Sequence, residues 1–196
     1  NQRVYVDVEK NDFIKLFNIQ AKAMLSRKNN SSSFNYDNNN KEIVQQLFFW
    51  LSNNSEFKGN LQKGILLVGN IGSGKTLIIE SFIRLYNLMC EVEKKIRIHD
   101  SRQLFYKLTE DGIGDYINQK MFIDDLGKEP LEFTHFGYTK QPMVELLTER
   151  HSKGILTFAT GNYRIEDYGS KIYNETISDR LKEMFNIFIL KGDSKR

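Results

Sequence analysis

The chain has 196 residues, enough for one domain with a full hydrophobic core and too few for two domains of ordinary size. Its 28 Lys and Arg residues against 25 Asp and Glu residues give a net charge of +3, so charge alone neither requires nor excludes a nucleic-acid partner. The sequence lacks the run of about 18 apolar residues that a membrane span needs, and its single cysteine fits a reducing compartment. We therefore expect a cytoplasmic protein without a membrane partner.

The N-terminal part of the chain predicts a short strand or extended arm, then a helix and a linker. Val4–Val8 alternates as in an extended segment, and apolar residues recur at helical spacing over Phe13–Leu25. Residues 27–41 are rich in Asn and Ser, whose side chains compete with regular structure for backbone hydrogen bonds. The expected division is a helical arm and linker over residues 1–40, followed by the main domain over residues 41–196.

The main domain alternates predicted helices and strands. The predicted helices cover residues 43–51, 77–89, 101–109 with Ser101 as its cap, 142–152 and 173–184. The predicted strands cover residues 65–68, 96–99, 120–123, 155–159 and 187–190. Because no hairpin signal separates successive strands, we expect right-handed crossovers and a parallel sheet covered by helices on both faces. The predicted fold class is α/β.

A phosphate-binding loop follows the first strand of this domain. Residues 69–76, GNIGSGKT, match the pattern G-x-x-x-x-G-K-[ST] between a predicted strand and a predicted helix. Glycines allow such a loop to curl so that its N–H groups face an anion at the helix N-terminus. Lys75 is expected to reach the β- and γ-phosphates and Thr76 to bind Mg²⁺. The predicted ATP-binding residues are Gly69, Asn70, Ile71, Gly72, Ser73, Gly74, Lys75, Thr76 and Leu77.

Polar residues at the ends of two later strands extend this site. In the segment MFIDDLG, Asp124 is predicted to join Thr76 in holding Mg²⁺, and Asp125 to polarise the attacking water. Asn162 ends the fourth strand, where its amide is expected to face the γ-phosphate. An isolated acid pair or Gly-Asn turn is usually ordinary turn chemistry, but the upstream P-loop favours a site for nucleotide hydrolysis.

These motifs together resemble those of AAA+ ATPases. GNIGSGKT matches Walker A, MFIDDLG Walker B, Asn162 sensor 1, and ISDRLKEMF the box with the arginine finger. The resemblance implies a three-layer P-loop NTPase core with five parallel strands in the order 5-1-4-3-2. It also implies that Arg180 completes a neighbouring subunit's site in a homo-oligomer formed with ATP. Arg150 is the rival candidate for the finger, and a surface arginine paired with Asp179 or Glu183 is the plain alternative for Arg180.

Within that family the chain is most similar to the DnaC and IstB group. The likeness rests on Phe34-Asn35-Tyr36, on the FIDDLG form of Walker B, and on the ending Gly192-Asp193-Ser194-Lys195-Arg196. It implies a core without the C-terminal helical lid. It further implies a role in DNA replication as a helicase loader with a replicative helicase as partner, or as a transposition ATPase with a transposase.

The resemblance also implies a contact with single-stranded DNA by residues 101–119 and their neighbours. The candidate residues are Arg102, Phe105, Tyr106, Lys107, Tyr116 and Lys120. Basic and aromatic side chains together can bind phosphates and stack on bases, although helical spacing equally favours Leu104, Phe105 and Leu108 as core residues. The remaining alternatives for function are a P-loop kinase of a small metabolite and a nucleotide switch that does not hydrolyse ATP.

Overall fold

The computed structural model describes residues 4–27, 34–135 and 137–192. Its strands, in chain order, are β1 (Gly64–Gly69), β2 (Arg97–Asp100), β3 (Met121–Leu126), β4 (Phe133–His135), β5 (Tyr138–Lys140), β6 (Thr157–Gly161) and β7 (Phe185–Leu190). The helices are α1 (Lys10–Arg27), α2 (Lys41–Leu51), α3 (Lys75–Met89), α4 (Ser101–Asp111), α5 (Gly114–Ile117), α6 (Pro142–Ser152), α7 (Ile165–Asp167) and α8 (Glu175–Met184). A 3₁₀ turn covers Val92–Lys94, and a π-helical turn covers Tyr168–Ile172.

Five of these strands form one parallel sheet in the order β2-β3-β6-β1-β7. When only these five are counted along the chain, the order is 5-1-4-3-2, which confirms the prediction. In β1, Leu66 pairs with Ala159 of β6 on one side and with Ile187 of β7 on the other. Because the strands are parallel, the carboxyl ends of β1, β3 and β6 lie at the same edge of the sheet, where ligands bind in α/β folds.

Helices cover both faces of the sheet. On one face Trp50 of α2 lies edge-on to Phe82 of α3 and to Phe158 of β6, with ring centroids 5.9 and 5.1 Å apart. On the other face α4, α6 and α8 cover a second core that contains Leu66 and Ile123. The central strands β1 and β6 are almost completely buried, as parallel strands covered on both faces usually are, whereas the edge strands β2 and β7 are partly exposed.

The N-terminal helix packs on the main domain. Phe13, Phe17 and Ala21 of α1 are buried in the same core as α2 and α3. Of the two alternatives predicted near Val6, the structure has the extended arm and not the strand: the backbone there forms no ladder with the described residues, and the Val6 N–H donates to the Leu51 carbonyl, 3.0 Å away. A single bond to the end of a helix leaves the segment extended but unpaired. The domain boundary near residue 40 stays a prediction.

A small antiparallel hairpin was not predicted. β4 and β5 pair through Phe133 with Lys140 and Thr134 with Thr139, and Gly137 in the turn has a φ of 79°. Strands of three residues are too short for a period-two pattern to be recognised, which explains the omission.

Two stretches used in the sequence interpretation lie outside the described residues, namely most of the Asn- and Ser-rich linker and the end of the chain after Gly192. In the described part of the chain, no helix is both long and apolar enough to cross a membrane.

Candidate functional site

The P-loop connects the end of β1 to the start of α3. Gly74, the residue before α3, has a φ of 100°, a conformation that L side chains rarely adopt, although nothing lies within 4 Å of where a Cβ would be. The glycine is therefore required by backbone conformation and not by crowding. The buried Ser73 hydroxyl in the same loop has no hydrogen-bond partner among the described residues, which fits a site whose remaining partner is a ligand.

Lys75 lies inside the loop. Its side chain is only 5 % exposed, and its ammonium group donates to the carbonyl oxygens of Gly69 and Asn70, each 2.8 Å away. These carbonyls hold the ammonium group at the point where the loop curls. A charged donor in this position suits the phosphate groups of a nucleotide.

Thr76 and Asp124 meet at the edge of the sheet, as predicted. The Thr76 hydroxyl donates to the Asp124 carboxylate at 2.8 Å, and the Thr160 hydroxyl donates to the same oxygen at 2.5 Å. Burial raises the pKa of Asp124, while these two hydroxyl groups oppose the rise. A hydroxyl oxygen and a carboxylate oxygen side by side are hard ligands that suit Mg²⁺ with nucleotide phosphates, so the residues present fit this metal.

Asp125 and Asn162 also come together. The Asn162 amide donates to one Asp125 carboxylate oxygen at 3.3 Å, and the Lys128 ammonium group lies 2.7 Å from the other. The Asp125 backbone is in the left-handed region, with a φ of 59°, and its N–H donates to the Thr160 hydroxyl at 2.9 Å. The structure therefore brings Asp125 and Asn162 together at the ends of the neighbouring strands β3 and β6.

Several residues of this site were missed at the sequence level. Thr160 contacts both aspartates, and Lys128 pairs with Asp125. Ser101 was predicted to cap α4, but the cap is the Asp100 carboxylate, which accepts from two N–H groups, while the Ser101 hydroxyl donates to the Asp125 carbonyl. The only signal for Thr160 was its place two residues before Asn162, on the strand next to the acids.

Arg180 and Arg150 differ in their surroundings. Arg180 lies on α8, half-buried, and donates to the Thr148 hydroxyl of α6 at 2.5 Å. Arg150 is 0 % exposed, and its guanidinium group donates to Thr157. It also donates to the backbone carbonyls of Tyr116, Ile117, Gln119 and Leu156. Arg150 is therefore a structural residue, and its candidacy as the arginine finger was wrong.

The segment considered for DNA contact is partly core. Phe105 is 2 % exposed, and burial lowers the pKa of Lys120, whose side chain is also buried, so neither forms part of an open surface. Tyr106 is 58 % exposed, and Lys107 is exposed beside it on α4. Arg102 donates from Nε to the Lys128 carbonyl at 3.1 Å, next to the Walker B turn. Helical spacing predicted the buried face correctly, and the exposed face keeps Tyr106 and Lys107.

The sheet order and the residues at its carboxyl edge fit the core of a P-loop NTPase fold. A P-loop between β1 and α3, acids at the end of β3 and an asparagine after β6 occupy neighbouring positions in that fold. No family model matches the sequence, and no curated protein matches it either.

Solved structures share this fold. A DnaC helicase loader is 18% identical with a TM-score of 0.59, over 81% of this chain and 93% of that chain. DnaI is 20% identical with a TM-score of 0.59, over 85% and 89% of the two chains. A replication initiator DnaA bound to AMPPCP and single-stranded DNA is 12% identical with a TM-score of 0.57, over 82% and 49%. The chain thus has a DnaC-like AAA+ fold, and identities this low show the fold alone.

Proposed function

We propose that this chain binds ATP with Mg²⁺ and hydrolyses it. The proposal rests on the 2.8 Å hydrogen bond between Thr76 and Asp124, which joins residues 48 positions apart in sequence. A P-loop hydroxyl and a strand-end carboxylate are the pair that holds Mg²⁺ in P-loop NTPases. The contact between Asn162 and Asp125, beside that pair, supports hydrolysis in addition to binding.

Each side chain has a role that follows from its chemistry. Lys75 exchanges its loop carbonyls for phosphate oxygens, because a charged donor bonds more strongly to an anion than to a neutral carbonyl. Thr76 and Asp124 would hold Mg²⁺, which would neutralise phosphate charge when bound. Asp125 accepts a proton from the attacking water, and Asn162 orients that water through its amide.

We further propose that the ATPase acts in DNA replication as a helicase loader. The support is the combination of the DnaC-like motifs with structural neighbours that include a helicase loader and DnaI. A replicative helicase is the proposed protein partner. Single-stranded DNA is a second proposed partner, because the DnaA neighbour is described with that ligand and Tyr106 and Lys107 are exposed on α4. A transposition ATPase with a transposase partner is the alternative.

Homo-oligomer formation with ATP is part of the same proposal. Arg180 donates to Thr148 within its own subunit, and no hydrogen bond or ion pair in the described part of the chain joins it to Asp125. An arginine that is not bonded to its own site can stabilise transition-state charge at the site of another subunit. We therefore assign Arg180 to the neighbouring site.

Phosphate release from ATP, measured with Mg²⁺ and with excess chelator, tests the proposed activity. The same samples should form larger assemblies with a slow-hydrolysing ATP analogue than with ADP, as measured by native mass spectrometry. The assemblies should bind a single-stranded oligonucleotide more tightly than the monomer does, with affinity that falls as salt is added. Absence of phosphate release at saturating Mg-ATP would refute the ATPase. Release without DNA binding at low salt would leave an ATPase that acts on a protein partner alone.

A further inference from the structure

A buried carboxyl group lies beside the Walker B turn, which is formed by residues 125–128. Glu129 is 4 % exposed, although it follows the Walker B acids by only a few residues. One of its oxygens accepts from the Gly127 N–H at 2.9 Å, and the other accepts from the Tyr173 hydroxyl. No lysine or arginine forms an ion pair with Glu129 in the part of the chain that the structure describes. A buried carboxyl group without a cation is costly, so its hydrogen bonds must serve the fold or the site.

The turn that Glu129 holds has a constrained backbone. Asp125 has a φ of 59° and Gly127 a φ of 90°, and the Lys128 N–H closes the turn on the Asp125 carbonyl at 3.1 Å. A Cβ at Gly127 would lie only 3.1 Å from the Tyr168 ring. A left-handed aspartate persists only where its surroundings fix it, and such positions cluster at functional sites.

Other elements fix the same turn through its backbone. Thr160 of β6 accepts the Asp125 N–H, Ser101 of α4 donates to the Asp125 carbonyl, and Tyr168 donates to the Leu126 carbonyl at 3.0 Å. The Glu129 carboxyl group accepts a further hydrogen bond from the Gly127 N–H. Four consecutive polar contacts around one turn therefore set the direction of the Asp125 side chain.

Tyr173 connects this turn to the helix that contains Arg180. Its N–H donates to the Tyr168 carbonyl at 2.7 Å, and the two rings stack with centroids 6.2 Å apart. The next residue, Asn174, caps α8 through the Ile177 N–H. Because the π-helical turn is packed against both the Walker B turn and α8, a shift in one displaces the other. Burial and the neighbouring Glu129 raise the pKa of Tyr173 well above its usual value, so its hydroxyl stays a donor.

We propose that Glu129 and Tyr173 are positioning residues that hold the Asp125 turn in its hydrolytic geometry and couple it to α8. The proposal rests on the ATPase function proposed above, since it assigns these residues to the same turnover step. Neither side chain lies in the P-loop, so nucleotide binding does not depend on them. Their loss should therefore lower the rate of hydrolysis and leave nucleotide affinity unchanged.

Three variants test this role against two matched controls. Glu129→Gln keeps the shape but cannot accept both hydrogen bonds, Tyr173→Phe removes only the hydroxyl, and the double variant measures their coupling. Tyr36→Phe and Glu42→Gln are the controls, because their contacts with Asn18 and Lys58 lie away from the P-loop, from residues 125–130 and from α8. Single-turnover hydrolysis and the affinity for a fluorescent ATP analogue with Mg²⁺ are measured on each protein.

We expect both single variants to hydrolyse ATP at least about tenfold more slowly, with nucleotide affinity within about twofold of wild type. The double variant should be no slower than the slower single variant, because both changes break one contact. Hydrogen exchange should quicken in residues 125–130 and in 175–184, and neither control should show this change. If Glu129→Gln does not fold, Tyr173→Phe tests the positioning role by itself, because it keeps the aromatic ring and removes only the hydroxyl.

Two different failures can be told apart in this experiment. A wild-type protein that does not hydrolyse ATP overturns the proposed function and this role with it. A wild-type protein that hydrolyses ATP, with single variants within about twofold of its rate, overturns the positioning role alone. Equal losses of rate and nucleotide affinity would also overturn it, because they would indicate general damage to the fold.

Discussion

Replacing Thr160 with valine should remove a hydrogen bond from each of the two aspartates of the site. The fully buried Thr160 hydroxyl donates to Asp124 at 2.5 Å and accepts from the Asp125 N–H at 2.9 Å. A hydrogen bond to a charged group contributes about 1.5–3 kcal/mol, and a buried N–H left without a partner costs about 1–3 kcal/mol. Since such values are not additive, we expect the free energy of unfolding to fall by about 2–4 kcal/mol at neutral pH.

The effect of Thr160→Val should depend on pH. Burial already raises the pKa of Asp124, so its contribution to stability is greatest at low pH and is lost as pH rises through the folded-state pKa. The Thr160 hydrogen bond favours the ionised form, so removing it raises that pKa further. The difference in stability from wild type should therefore be larger at neutral pH than at mildly acid pH.

Urea unfolding at the two pH values measures this difference. Thr139→Val is the matched control, because that hydroxyl lies on the exposed hairpin and, among the described residues, bonds to Thr134 alone, 3.3 Å away. A loss for Thr160→Val below about 0.5 kcal/mol at neutral pH, the usual range for surface substitutions, would refute the reasoning. So would a loss that grows as the pH is lowered.

Three further predictions concern charged side chains. Lys128→Gln should speed hydrolysis by up to about fivefold, because losing its ion pair frees Asp125 to act as a base. The limit follows because a partly exposed ion pair contributes about 1 kcal/mol at most. Slower phosphate release would contradict this prediction. Arg180→Ala should bind ATP normally but hydrolyse it slowly. Mixing this variant with Lys75→Ala subunits should restore some activity. Hydrolysis at the wild-type rate by Arg180→Ala alone would exclude a role in the neighbouring site. Arg150→Met should destabilise the fold by about 3–5 kcal/mol, because it leaves the carbonyls of Tyr116, Gln119 and Leu156 without this donor. Thermal unfolding measures the loss, and an unchanged Tm would contradict the structural role of Arg150.

The parts of the site predicted from sequence are those specified by local pattern. The P-loop, the Walker B acids and Asn162 each lie at the end of an apolar strand, and the parallel sheet brings strand ends to one edge. The resemblance to AAA+ proteins supplied the strand order, which local pattern does not contain.

The remaining features depend on contacts between distant elements. Glu129 and Tyr173 are 44 positions apart, and nothing in either segment alone distinguishes a buried carboxyl group from a solvated one. Arg150 lies near the end of α6, where an arginine is usually exposed. Instead its guanidinium group donates to backbone carbonyls at the end of α5 and just before β6. Such roles become visible only when hydrogen-bond partners are known.

The central claim is that Lys75 binds phosphate while Asp125 acts on water. Single-turnover hydrolysis of Mg-ATP by Asp125→Asn, with nucleotide affinity measured on the same sample and on Lys75→Ala, tests it most directly. We predict that Asp125→Asn keeps its affinity within about twofold and hydrolyses at least about a hundredfold more slowly, the usual contribution of a positioned base. Lys75→Ala should lose tight nucleotide binding. Equal losses of nucleotide affinity in the two variants would contradict the account.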